Sequence, residues 1–306
     1  MNATCQKARG FIYRNARPLD LARWQYHFED GSREAVLRAL SFYQNEDGGF
    51  GHALEADAWN PHSSPIQTWV ATEILREIDF TDPAHPIVKG ILRYLESGKD
   101  FNGSFWYKIV ESNNAYPHAP WWYTDADTTD HSDYNATACL AGFILRFAEA
   151  DSALFQTARR VAREAFAQLA DGQRENGLHT LTCYCRLLEY LESARRYDVI
   201  DLPALKELLR KQVHDCITQD TAEWETSYVC KPSQFLNRPD SPFYADNRAI
   251  ADYECDFIVK TQLADGAWNI PWDWGGAYEE WAVSKNWWKS DRILLNLLYL
   301  KGFGKL

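Results

Sequence analysis

Gln44-Asn45-Glu46-Asp47-Gly48-Gly49-Phe50 follows a helix-forming run, Ser32 to Gln44, and turns it through two glycines toward an aromatic ring. From the glutamine, the step to the first glycine is four residues and the step to the ring is six. Both steps recur at Gln262-Leu263-Ala264-Asp265-Gly266-Ala267-Trp268, and the first recurs without the ring at Gln168-Leu169-Ala170-Asp171-Gly172. Lys99 to Phe105 is a degenerate copy, and Gln219 to Trp224 a weak one. A Gln amide can bind backbone groups left open where one helix ends and the next begins. Glycine permits the tight reversal, the ring packs across the joint, and Asp47 and Asp265 would offer acceptors to the next helix N-terminus. A turn repeated this way predicts stacked helical hairpins.

The runs between the turns carry apolar residues at helical spacing. They predict helices over 20–29, 32–44, 66–78, 87–95, 134–148, 153–170, 178–191, 201–216, 249–262 and 289–300. Ser32 is placed to cap the second of these, Ser132 or Asp133 the fifth, and Asp201, followed by Pro203, the eighth. Long β-rich runs are absent, so the expected class is all-α. Residues 1–29 read as a lead-in with one short helix, and 30–306 as a single helical domain.

The composition is that of a globular protein, 46% hydrophobic and 25% charged. A net charge of -11 argues against nucleic acid or an anionic membrane surface as a partner. Residues 1–28 hold no uninterrupted apolar stretch of the signal-peptide kind, and Ile293 to Leu300 is too short to span a bilayer. The seven cysteines include no Cys-x-x-Cys, and Cys216 and Cys230 stand isolated; a cytoplasmic chain without structural zinc is expected. Thirteen Trp, sixteen Tyr and fifteen Phe are enough to line a cavity as well as fill a core.

Three groups carry candidate chemistry. In the first, Asp125, Asp127, Asp130 and Asp133 lie beside Trp121, Trp122, Tyr123 and His131. Acids crowded in a cavity can retain a proton near neutral pH, and aromatic faces can stabilise a cation. The second comprises His52, Glu55, Asp57 and His62, a set suited to acid–base work or to a divalent cation, though without a zinc-helix spacing. The third, Trp272 and Trp274 with neighbouring acids, would cover the mouth of a pocket. Each has a plain structural counterpart: a solvated loop capping the next helix, a braced turn, or packed rings.

The glutamine turns resemble the glutamine–tryptophan repeats of terpenoid cyclases, found more loosely in protein prenyltransferase β subunits. The resemblance covers residues 30 to 300 approximately and implies an α/α toroid of about five to six hairpins around a central cavity. Comparable helical barrels occur among polysaccharide lyases and glycoside hydrolases. Asp125-Ala126-Asp127-Thr128-Thr129 is similar to the Asp-x-Asp-Asp-Thr segment of protonating terpene cyclases. That similarity would make Asp127 the general acid, with Thr128 standing where the last Asp belongs. The zinc set of the prenyltransferases would fall on Asp252, Cys255 and Asp256, but no His follows His214, so no metal is assigned. The resemblance implies acid-catalysed chemistry on an isoprenoid. The alternatives are a carbohydrate hydrolase or lyase with an aromatic-lined cleft, and a nonenzymatic small-molecule-binding or scaffold protein. No cofactor is predicted, and the sequence names no protein partner.

Overall fold

The computed structural model describes residues 2–125, 132–276 and 278–306. The protein is all-α: eleven α-helices and a few 3-10 turns occur among the described residues, with isolated bridges but no strand. No described helix is long and apolar enough to cross a membrane. The chain forms two compact units, one made of Met1–Leu40 with Val213–Leu306 and the other of Ser41–Gln212.

In chain order the helices are α1 (Ala3–Asn15), α2 (Pro18–Phe28), α3 (Arg33–Ser41), α4 (Pro65–Glu77), α5 (Pro86–Glu96) and α6 (Thr137–Phe147). They continue with α7 (Ala153–Asp171), α8 (Leu178–Ser193), α9 (Leu202–Cys216), α10 (Tyr244–Lys260) and α11 (Glu279–Gly302). Two expected caps are in place: Ser32 Oγ accepts from Ala35 N–H at 3.2 Å, and Asp201 Oδ1 from Ala204 N–H at 3.0 Å. Ala3–Asn15, polar on average, is helical because Cys5, Ala8, Phe11 and Ile12 recur at helical spacing and are buried. Helix α11 begins ten residues before the expected Lys289 and takes in Trp281, Trp287 and Trp288. Glu279 and Glu280 in its first turn favour that start by opposing the helix dipole.

In the Ser41–Gln212 unit, packing alternates along the chain. Helix α6 packs on α4, α7 and α8, while α5 packs on α7. Every residue of α6 except Arg146 is buried, as expected for a helix apolar all round. A Cβ on Gly142 would lie 3.0 Å from Leu187 Cα, so a side chain there would push α8 away. In the other unit α11 packs on α1, α2 and α10. Buried Asp20 pairs there with Arg17 at 2.8 Å and Arg23 at 3.1 Å, and Arg23 also reaches Asp291 at 2.9 Å.

The turns at Gln44 and Gln262 are one joint built twice. Gln44 Nε2 donates to Gly48 O at 2.9 Å and to Ile87 O, in the second residue of α5, at 3.1 Å. Gln262 Nε2 donates to Gly266 O at 3.0 Å and to Thr4 O, in the second residue of α1, at 2.9 Å. Gly48 and Gly266 have φ of 95° and 94°, a region that L side chains rarely adopt. A Cβ would sit 2.1 Å from Gly90 O at the first and 2.2 Å from Lys7 O at the second. Phe50 and Trp268 are buried, as a ring across a joint should be. Asp47 and Asp265, expected to serve the next helix, instead accept from Gly49 and Ala267 N–H, both at 2.9 Å, bracing their own turns.

The third copy is different. Gln168-Leu-Ala-Asp-Gly172 repeats the pentapeptide of residues 262–266, yet α7 runs through Asp171 and Gly172 is its left-handed cap, with φ 67°. No atom lies within 4 Å of a Cβ built on Gly172, so no neighbouring helix seats against it. The degenerate copy keeps part of the joint. Phe101 bridges Trp106 as Gln44 bridges Phe50, which makes Trp106, not Phe105, the ring in register. Trp106 N–H donates to Thr137 Oγ1 at 3.0 Å and Phe50 N–H to Thr68 Oγ1 at 3.1 Å, so α6 and α4 each receive a turn on a threonine. The Gln219 segment makes a 3-10 turn, Thr221–Glu225, instead.

Two glycine substitutions separate a seated joint from a bare cap. Gly172→Ala should cost about 1 kcal/mol, the ordinary left-handed penalty. Gly48→Ala should cost at least about 3 kcal/mol, because its methyl collides with backbone. Urea midpoints of the two variants, followed by a probe in the Ser41–Gln212 unit, measure the difference.

Candidate functional site

Two loops of the Ser41–Gln212 unit lie edge to edge. Trp59 N–H donates to Pro117 O at 2.9 Å and Ala119 N–H to Asp57 O at 2.8 Å, around an isolated antiparallel bridge between Ala58 and His118. The first loop, 51–62, folds tightly because His52 and Ala53 both take left-handed backbone, with φ of 58° and 60°. It is pinned from α4 by Gln67, whose Oε1 accepts from Leu54 N–H at 2.9 Å and whose Nε2 donates to Asn60 O at 3.0 Å. The second loop is held by amides. Asn60 Nδ2 donates to Ser112 Oγ at 2.8 Å and to Asn113 Oδ1 at 2.9 Å, and Asn113 Nδ2 to Trp122 O at 3.2 Å. Asn114 and Thr124 exchange two bonds, of 2.7 and 3.1 Å. Asn60, Gln67, Asn113 and Thr124 are buried, where satisfied polar groups rigidify and an unmet one is costly.

This framework buries the acids and exposes the rings. Glu55 and Asp57 are 7% and 2% exposed, and Glu55 Oε2 accepts from Asp57 N–H at 2.9 Å. Trp121 and Tyr123 are 42% and 57% exposed. The His118 ring lies nearly parallel to Tyr123, 6.2 Å away. Its Nδ1 is 2.7 Å from Tyr116 O and must carry the proton, since a carbonyl only accepts. His52 Nε2 meets Asn45 Oδ1 at 2.9 Å and His62 Nε2 meets Tyr116 Oη at 3.1 Å, so both histidines brace loops.

The structure thus brings Glu55, Asp57, Trp121, Trp122 and Tyr123 onto one pair of loops. Asp125 is exposed just beyond Thr124, and Asp127 and His131 lie outside the described residues. Trp272 and Trp274 belong to the other unit. Trp272 meets Tyr228 and Trp288 edge-on at 5.3 Å each, and Trp274 is buried against Tyr278 and Trp281. Among the described residues no group of three or more His, Cys, Asp or Glu side chains could hold a metal ion.

Two polar clusters escaped the sequence reading. Asp133, expected as a helix cap, braces a turn: Oδ1 accepts from Asn135 N–H at 2.9 Å and Thr180 Oγ1 at 3.1 Å, and Oδ2 pairs with Lys108 at 3.1 Å. Helix α6 starts later, at Thr137, behind Ala136 with a positive φ of 64°. Burial opposes ionisation of Asp133, but the Asn135 N–H and Lys108 outweigh it and hold the carboxyl below the usual range. Nearby His179 is pushed down by burial of its ring and by Lys108, against Asp133. The second cluster joins alternate helices. Glu73 of α4 pairs with Arg186 of α8 at 2.9 Å and with Arg76 at 3.3 Å, Arg186 with Glu189 at 2.9 Å, and the Cys139 thiol of α6 points at Glu73. Burial works against the Glu73 charge, and Arg186 and Arg76 overcome it, leaving its pKa lowered. The spacings Glu73-x-x-Arg76 and Arg186-x-x-Glu189, opposite in sense, were the available signal.

Arg186→Met should destabilise this unit by about 3 kcal/mol, since it strands Glu73 in a largely buried setting; denaturant titration gives the number. Asp133 gives a pH test. Its folded pKa lies below the unfolded value of about 3.9, so its contribution is present above that pH and is lost as pH falls through the folded pKa. Asp133→Asn should therefore flatten the acid limb of a stability–pH curve while lowering stability at neutral pH.

No family model matches the chain, and no curated protein or solved structure matches it.

Proposed function

We propose that the paired loops are a carbohydrate-binding surface, with Asp57 and Glu55 supplying the acid–base chemistry of glycosidic-bond cleavage. The observation that carries this reading is the bond from Ala119 N–H to Asp57 O, which ties the loop bearing exposed Trp121 and Tyr123 to the loop bearing two buried acids. The C–H faces of a sugar stack on open rings, and its hydroxyls suit a rim of amides. A carboxyl pair flanking the bond, roughly 5 to 9.5 Å apart, is the general requirement for hydrolysis. An isoprenoid would instead need the rings turned into an enclosed apolar space, as cation guidance demands. The exposure of Trp121 and Tyr123 therefore favours the sugar over the alkene chemistry suggested by Asp125 and Asp127. The alternation of α4, α6 and α8 with α5 and α7 supports placing this surface on an α/α toroid of the kind that also hosts polysaccharide lyases and glycoside hydrolases. That all seven cysteines lie outside disulfides fits a reducing, cytoplasmic setting.

Short neutral and uronate oligosaccharides, titrated by intrinsic Trp fluorescence, test the reading. Trp121→Ala combined with Tyr123→Ala should weaken binding about thirtyfold, at roughly 1 kcal/mol for each stacked ring. Asp57→Asn should keep the affinity and abolish the release of reducing ends. A protein that ignores every oligosaccharide but responds to a prenyl diphosphate would move the site to isoprenoid chemistry.

A further inference from the structure

Cys216 and Cys230, isolated in the sequence, meet in the fold. Their Sγ atoms are 3.5 Å apart in the unit that contains Val213–Leu306. Cys216 is the last residue of α9 and half-buried, and Cys230 is buried. Thr218 N–H donates to Cys230 O at 2.9 Å, so backbone already holds the ends of the 217–229 loop together. Inside that loop Trp224 is buried and donates through Nε1 to Thr218 O at 3.0 Å, and Lys231 Nζ donates to Trp224 O at 2.8 Å. Tyr228, 48% exposed, leaves the same loop to meet Trp272 edge-on. A disulfide needs its sulfurs about 2.05 Å apart, so the two thiols must close by roughly 1.5 Å.

We propose that Cys216 and Cys230 form a reversible thiol–disulfide pair that latches the 217–229 loop, with a small-molecule disulfide such as oxidised glutathione as the oxidant. Cys216, the more accessible thiol, loses its proton and attacks one sulfur of the oxidant. The oxidant's S–S bond breaks, a mixed disulfide forms on Cys216, and the departing thiolate takes up a proton as the first glutathione thiol. Cys230 then loses its proton and attacks the Cys216 sulfur, releasing the second. Two protein thiols are oxidised and one small-molecule disulfide is reduced to two thiols, so atoms and electrons balance. Other cysteines are poorly suited to the first step: burial pushes the Cys139 thiol well up, Cys183 to about 12 and Cys255 to about 11.

The test uses the whole folded chain in glutathione buffers of graded ratio. Intact mass should fall by two hydrogens, peptide mapping should place the link between Cys216 and Cys230, and dithiothreitol should restore both thiols. Cys230→Ser should accumulate a glutathione adduct on Cys216 instead, which distinguishes exchange at this site from general oxidation. Amide exchange in 217–229 should slow in the oxidised protein. Two thiols that remain alkylatable across the series, a link that forms only after denaturation, or unchanged exchange in the loop would each overturn the proposal.

Discussion

At Gln44 one amide nitrogen serves two carbonyls, that of its own glycine turn and that of the second residue of another helix. A side chain in that position couples the place where a chain reverses to the place where a helix begins. The geometry leaves no room for error. The turn glycine passes so close to the neighbouring backbone that a single methyl would collide with it, at Gly48 and again at Gly266. Both units carry this joint, so the spacing of helix starts is set in each by the same pair of hydrogen bonds. The loops that follow the first joint are then free to hold the polar framework around Asp57.

That framework resembles a small core made of amides. Asn60, Gln67, Asn113 and Asn114 satisfy backbone groups of two loops that have little regular structure of their own. Irregular backbone close to the interior must find partners, and side-chain amides, with both donors and an acceptor, are the economical means. Rigid loops of this kind can hold buried acids and exposed rings on one framework. The ion pair of Glu73 with Arg186 likewise ties α4 to α8 through charged groups.

Helices and one joint were legible because they follow local rules: apolar periodicity, caps at Ser32 and Asp201, and a Gln-to-Gly step with a ring behind it. The limit of local rules is visible in one pentapeptide. Gln-Leu-Ala-Asp-Gly makes a joint at 262–266 and the end of a helix at 168–172. The difference lies beyond it, in Trp268 against Arg174 and in the helix start that receives Gln262. The acids Glu55 and Asp57 and the rings at 121–123 were legible by residue type. Their union was not, since it depends on Asn60 reaching residues more than fifty positions away. The thiol pair was hidden for the same reason, with a loop between Cys216 and Cys230 that only tertiary structure closes.

The separation of the two joints along the chain bears on how the protein is made. Gln44 reaches a partner 43 residues on, whereas Gln262 reaches one 258 residues back. Closing the longer span costs about 1.6 kcal/mol more in chain entropy, by the logarithmic dependence on loop length. Ser41–Gln212 is continuous and can collapse as it leaves the ribosome, while α1 and α2 must wait for α10 and α11. Until then Phe11, Ile12 and Trp24, buried in the finished protein, lack their final packing. Synthesis order thus makes the amino-terminal helices the segment most exposed to chaperones and to aggregation.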